Sequence, residues 1–258
     1  MAEIVFVAAW QPACENRAAM NLLPAAVVAG IVGAGAGTFS WGAFVPSSQL
    51  FGPTVRRTGN ESTVALTFDD GPNPAITPRL LDVLDRHNVK ATFFLIGGWV
   101  RAAPELAREI AARGHVVGNH TYTHPRLTFC SQRRTKVELN QCDDAIETAI
   151  GKTPGWMRPP FGFRNPSLER IIRERGGAGV VMWSKWAWDW TPQPAAAVIR
   201  RLAGVRGGDI LLLHDGDHRV PKGDRQHTLE AVEHWLPRWK DGGIRFVTLD
   251  ELARKSIG

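Results

Sequence analysis

Val64-Ala65-Leu66-Thr67-Phe68-Asp69-Asp70-Gly71-Pro72 is an apolar run that ends abruptly in two carboxylates and a Gly-Pro turn. Val64–Phe68 has the length and the β-branched and aromatic content of a buried strand. Side chains alternate along a strand, so Asp69 and Asp70 start on opposite sides, and a turn at Gly71 is expected to bring both to one rim. Crowded carboxylates repel each other, so a metal ion or an arginine is expected beside them. The plainer alternative is an Asp-Asp-Gly turn closed by its own side-chain hydrogen bonds.

Downstream, the same kind of run recurs. Ala91–Ile96, His115–Val117, Trp156–Arg158, Val180–Trp183, Asp209–Leu213 and Arg245–Leu249 read as further strands. Between them, Thr77–His87, Pro104–Arg113, Ser131–Ile150, Pro166–Arg175, Pro194–Ala203, Gln226–Lys240 and Asp250–Lys255 read as helices. Several open on proline or a Ser/Thr/Asp cap, and several close at glycine (Gly114, Gly151, Gly176, Gly242). Strand–helix units in series imply a parallel sheet with helices outside, either an open sheet or a closed barrel. The conspicuous polar residues cluster at strand C-termini: Asp69, Asp70, His120, Arg158, Asp189 and His214. In parallel α/β folds the active site gathers at that edge.

The 258 residues suffice for one large domain, and 44% hydrophobic with 22% charged is an ordinary globular composition. Net charge is +6, dispersed and without an arginine-rich block, which argues against a nucleic-acid partner. Ten Trp stand against one Tyr, and four crowd together at Trp183, Trp186, Trp188 and Trp190. They read either as core or as a platform for the C–H face of a pyranose. The cysteines build no disulfide framework, since Cys130 and Cys142 lie on one predicted helix roughly 18 Å apart.

Ala18 to Val55 carries no charge, and its apolar run is long enough for a bilayer span. Residues 1–60 are therefore expected to hold an export signal or anchor plus linker, with residues 20–45 as the membrane segment and 61–258 as the catalytic domain. Export to the cell envelope follows, as a periplasmic, membrane-anchored or secreted protein. The alternative is a Gly/Ala-rich segment packed on the globular domain.

In Asn119-His-Thr-Tyr-Thr-His-Pro125, His120 and His124 lie four apart, a spacing that shares one face of a helical turn. The spacing alone is weak, because His214 and His218 repeat it. Asp70 with His120 and His124 would make a one-carboxylate, two-imidazole set with open positions, the arrangement of a catalytic zinc site. Arg158 opens Arg-Pro-Pro-Phe-Gly, Asp189-Trp190 closes the tryptophan-rich stretch, and His214 tips the Asp209–Leu213 strand.

Thr-Phe-Asp-Asp-Gly-Pro, His-Thr-x-x-His, Arg-Pro-Pro-Phe-Gly, Asp-Trp and Leu-Leu-His, in this order over Val64 to Leu252, resemble the polysaccharide deacetylase family, carbohydrate esterase family 4 or NodB-homology domain. The resemblance implies a distorted (β/α)7 TIM-like barrel, in agreement with the series of strand–helix units. It implies hydrolytic removal of acetyl groups from N-acetylglucosamine-type residues of a polysaccharide such as peptidoglycan, or of chitin-like oligomers, by a monomer. Asp70, His120 and His124 would hold one divalent ion, zinc or else cobalt or another divalent metal. Asp69 would be the general base, oriented by Arg158. His214 would be the general acid, partnered by Asp189. The Phe161 N–H would face the oxyanion, and Trp190 and Leu212 would wall the acetyl methyl pocket. The chain departs from the family pattern at Trp186, where a second aspartate is usual. The same motifs admit an O-acetyl esterase on xylan, and a non-catalytic sugar-binding barrel is a third reading. The charged loop after His214 is expected either to shape the substrate groove or to be solvated.

Overall fold

The computed structural model describes residues 32–255. Residues 32–44 are helical (α1), and the chain divides into Met1–Ser40 and Trp41–Gly258. Residues 1–31, which include part of the expected signal or anchor segment and Cys14, lie outside the described residues. Among the described residues, no helix is long and apolar enough to cross a membrane.

The larger unit is built on one curled, parallel sheet. Its strands are β1 (Thr54–Val55), β2 (Thr63–Gly71), β3 (Thr92–Leu95), β4 (Val116–Asn119), β5 (Trp156–Met157), β6 (Gly179–Val181), β7 (Lys185–Trp186), β8 (Ile210–His214) and β9 (Arg245–Phe246). Their order is β1-β6-β5-β4-β3-β2-β8-β7, with β9 joined to β2. The result is an α/β half-barrel, in agreement with the distorted barrel that the family resemblance implies. Each strand candidate overlaps an observed strand. The two-residue strands β1 and β7 are too short to leave a hydrophobic period, so only pairing reveals them.

Period-two alternation in β2 separates two cores. Val64, Leu66 and Phe68 point into the large cluster shared with helices α2 (Thr77–Arg86), α4 (Pro104–Ala112), α5 (Gln132–Ile150) and α8 (Gln226–Asp241). Ala65 instead joins Phe94, Trp156, Val181, Ile210 and Leu249 in the barrel interior. Truncating the fully buried Phe68 to alanine would cost about 3–5 kcal/mol by transfer and cavity terms. The last helix, α9 (Leu249–Lys255), packs on that interior cluster, and Trp156 Nε1 donates to Asp250 Oδ1 at 2.9 Å.

Helix ends follow local chemistry. Ser131 caps α5 by accepting from the Arg134 N–H at 3.2 Å, and Gly151 ends the helix with φ +70°. The cap and the full helix agree with the sequence reading, and Cys130 and Cys142 are free thiols. Helix α3 (Gly97–Ala102) escapes that reading because it opens on two glycines, which ordinarily disfavour helix. The remaining helices are α6 (Leu168–Glu174) and α7 (Ala195–Leu202).

Candidate active site

The strand C-termini open into a cleft of about 340 Å³. Asp69, Asp70, His120, His124, Phe161, Trp190, Leu212 and His214 all line it. Arg158 and Asp189, the other two residues singled out from sequence, lie fully buried behind this lining.

The two adjacent aspartates reach one rim by a device the sequence reading places one residue too late. The β2–β3 register shifts between Asp69 and Gly71, and Asp70 itself takes φ +69°. An extra residue in one strand reverses the alternation locally, so Asp70 turns to the side Asp69 already faces. Gly216 makes this packing feasible, because a Cβ there would sit 1.9 Å from the Asp70 carbonyl oxygen.

His120 and His124 lie in a loop after β4, not on a helical turn. Thr121 and His124 both have positive φ, +65° and +57°, and this double reversal turns the imidazoles together. The loop is anchored from outside. The buried Glu138 of α5 accepts from the Tyr122 and Thr123 N–H groups at 3.1 and 2.8 Å and from the Thr123 hydroxyl at 2.8 Å. Asn119 Oδ1 accepts from the Thr121 N–H at 2.7 Å. Neither Glu138 nor Asn119 is conspicuous in sequence, since a mid-helix glutamate reads as surface.

Asp70 Oδ1 stands 3.4 Å from His120 Nε2 and 3.1 Å from His124 Nε2. One ligand atom from each of the three residues lies within 4.8 Å of the others. Nδ1 of His120 is 2.8 Å from the Arg158 carbonyl, which fixes that nitrogen as the donor and leaves the Nε2 lone pair facing Asp70. Burial alone would raise the Asp70 pKa. The side chains of His124, His120 and His218 packed around it outweigh burial and hold the carboxyl well below its ordinary range. Burial lowers the His124 pKa. An ionised carboxylate beside a neutral imidazole is the protonation state a cation requires. Asp70 Oδ1 is buried with no hydrogen-bond partner among the described residues. A buried acceptor left so is costly unless a cation completes it, so the donor set fits a divalent metal ion.

Asp69 is held differently. Arg158 Nη1 donates to Asp69 Oδ1 at 2.8 Å and to the Thr67 hydroxyl at 2.6 Å, while Nη2 donates to the Met182 carbonyl at 3.1 Å. The guanidinium lies 4.4 Å over the Phe94 ring. With its donors committed, Arg158 fixes one Asp69 oxygen and leaves the other toward the cleft, 3.8 Å from His120 Nε2.

Across the β2–β8 pairing, Asp69 and His214 are direct register partners. Asp189 Oδ1 lies 3.0 Å from His214 Nδ1, and Oδ2 accepts from the His214 N–H at 2.7 Å and the Thr228 hydroxyl at 2.9 Å. His227 Nε2 lies 2.8 Å from the Asp189 carbonyl oxygen. Burial by itself would lower the His214 pKa, but the Asp189 carboxylate overcomes it and raises the value to about 9. His214 is therefore a cation at neutral pH with Nε2–H available to the cleft. Thr228 and His227, both on α8, carry no sequence signal for this role.

The loop after His214 is built, not solvated. Asn73 Nδ2 donates to the Asp215 and Gly223 carbonyls at 3.0 and 2.8 Å, and the Thr77 hydroxyl donates to the Asp215 carboxylate. Asp217 binds both Arg219 and the buried Arg225. The loop thereby delivers His218 to the cleft, its Nδ1 3.5 Å from Asp70 Oδ2 and its ring stacked 4.3 Å from His124. His218 does belong to the site, beside the ligand set. Its four-residue spacing from His214 does not make the two a metal-binding pair.

A family model for polysaccharide deacetylases matches residues 56–180. The chain is 36% identical over 215 residues to a peptidoglycan-N-acetylglucosamine deacetylase of Listeria monocytogenes, covering 83% of this chain and 43% of that protein. It thus spans less than half the length of that relative. It is 39% identical over 199 residues to a chitooligosaccharide deacetylase of Sinorhizobium fredii, covering 74% of this chain and 92% of the relative. The crystal structure of the Bc1960 peptidoglycan N-acetylglucosamine deacetylase superposes with a TM-score of 0.73 at 33% identity, covering 77% of this chain and 92% of that one. A carbohydrate esterase family 4 pseudoenzyme from Bacillus anthracis superposes with a TM-score of 0.70 at 29% identity, covering 78% and 69%. Fold, site and relatives agree: the chain belongs to the polysaccharide deacetylase family.

Proposed function

We propose that this protein is a metal-dependent hydrolase that removes acetyl groups from N-acetylglucosamine-type residues of a polysaccharide, as the names of its peptidoglycan- and chitooligosaccharide-directed relatives suggest. One observation carries the reading. Asp69 and His214 are neighbours across two paired strands, one held by Arg158 and the other charged by Asp189, and the Asp70–His120–His124 set stands beside them.

Asp70, His120 and His124 would hold a divalent cation, which we take to be zinc, and when bound it would supply Lewis-acid polarisation of the acetyl carbonyl. Asp69 takes the proton of the attacking water as its oxygen bonds to the acetyl carbon. Arg158 keeps the carboxylate aimed at that water. The Phe161 N–H donates to the oxyanion of the tetrahedral intermediate. His214 then protonates the sugar nitrogen as the C–N bond breaks, releasing acetate and the free amine. Trp190 and Leu212 shape the pocket for the methyl group. Trp186, in place of the usual aspartate, leaves the Asp189–His214 pair intact.

The same reading places the protein in the cell envelope as a monomer, exported or anchored through residues 20–45. The test is acetate release from N-acetylglucosamine oligomers with zinc, after chelation, and after zinc is restored. The expected pattern is activity, loss and recovery, with Asp69→Asn lowering kcat about 10³-fold. Acetate release from acetylxylan but from no N-acetylated oligomer would instead identify an O-acetyl esterase. Release from neither, with sugar still bound, would leave a binding barrel.

A further inference from the structure

Trp186, Trp188 and Trp190 alternate with Ala187 and Asp189 along the segment that runs through and beyond β7. Ala187 and Asp189 are fully buried, whereas the indoles of Trp186 and Trp188 are left largely exposed. They form a series leading away from the catalytic acid. Trp190 lies 5.7 Å from the His214 ring, Trp188 5.0 Å from Trp190, and Trp186 6.5 Å from Trp188, centroid to centroid. Of these three, Trp190 alone lines the cleft. Trp188 is 50% exposed and Trp186 is 41% exposed, so neither is explained by core packing.

Trp188 also holds φ +60°, a conformation that is rare for so bulky a side chain. The strain is held in place from one side. The Thr191 hydroxyl donates to the Trp188 carbonyl at 3.1 Å, the Gln193 amide donates to the same oxygen, and Arg201 donates to Gln193. Strained residues fixed by their surroundings cluster at binding and catalytic sites. Large exposed indoles continuous with a cleft are suited to a ligand with one apolar face and polar edges. A hexopyranose ring is such a ligand, and a polymer whose acetylated unit occupies the cleft must continue out of it along the wall.

We propose that Trp188 and Trp186 form a subsite for the pyranose rings next to the one being deacetylated, stacking on their C–H faces. The proposal rests on the deacetylase reading and extends it to chain length, with oligomers preferred over a single sugar.

Calorimetric titration separates binding from turnover. In zinc-loaded Asp69→Asn protein, the N-acetylglucosamine tetramer should bind more tightly than the monosaccharide. Adding Trp188→Ala or Trp186→Ala should weaken the tetramer about five- to tenfold and leave the monosaccharide unchanged. Trp188→Tyr, which keeps a flat ring, should recover most of the loss. In the otherwise unaltered zinc enzyme, Trp188→Ala should raise KM for the tetramer, hold kcat, and spare hydrolysis of 4-nitrophenyl acetate. Unchanged tetramer affinity in both alanine variants, or equal losses for tetramer and monosaccharide, would overturn the subsite. Failure of the unaltered enzyme to release acetate would strike only the deacetylase reading, because the titrations still decide the subsite.

Discussion

The two walls of the cleft are both buried and charged, yet they are finished to different degrees. On the β8 wall all three oxygens of Asp189 are used: its carboxylate takes His214 and Thr228, and its carbonyl takes His227. On the β2–β4 wall Asp70 Oδ1 and His124 Nδ1 are buried without hydrogen-bond partners among the described residues. The complete wall needs nothing from outside to hold its proton, whereas the incomplete one offers donors that fit a cation. On the proposed mechanism, proton donation is preorganised by the fold and electrophilic activation would depend on that cation.

Breaking the incomplete wall should have the largest effect. His120→Ala is expected to reduce acetate release to the level of the chelated parent. Zinc should raise the melting temperature of the parent and not of this variant, because a cation that binds only the folded state stabilises it by mass action. Equal zinc-induced shifts in both proteins would remove His120 from the ligand set.

The complete wall predicts a pH signature. His214 is raised from its ordinary 6.5 to about 9 by Asp189, so the stability of that pairing is fully present below about pH 6.5. It is lost as pH rises through 9. The proton needed for amine departure follows the same limits, so kcat should fall on the alkaline side near pH 9. Asp189→Asn should lower kcat about 10²-fold and move that limb toward lower pH. An alkaline limb that stays in place in Asp189→Asn would assign it to another group.

The smallest expected change sharpens the comparison from a distance. Glu138 touches no reacting atom but fixes the loop carrying His120 and His124. Glu138→Gln loses charge-assisted bonds to that loop and should weaken zinc about tenfold in a chelator competition. The His214-dependent alkaline limb should not move. A displaced limb would mean that the two walls are coupled through the backbone.

Much of this site is legible in the chain. Strand-end position picks out Asp69, Asp70, His120, Arg158, Asp189 and His214 because parallel strands deliver their C-termini to one edge whatever the details of packing. The supporting residues are not legible in the same way. Glu138 lies mid-helix and Thr228 in the first turn of its helix, and their roles exist only once α5 and α8 pack against the sheet. His218 shares the four-residue spacing but is set aside by strand-end placement and motif order, because nothing local reveals that Asn73, Thr77 and Arg225 fold its loop back over the cleft.

The sequence by itself determined the series of strand–helix units, the parallel sheet and which polar residues gather at its C-terminal edge, since hydrophobic period and strand-end position are local properties. Only the tertiary structure decided how Asp70 comes to share a rim with Asp69, why His120 and His124 converge from a loop, and where the exposed indoles lead. Those depend on positive φ angles and on contacts between residues far apart in the chain, which no local pattern encodes.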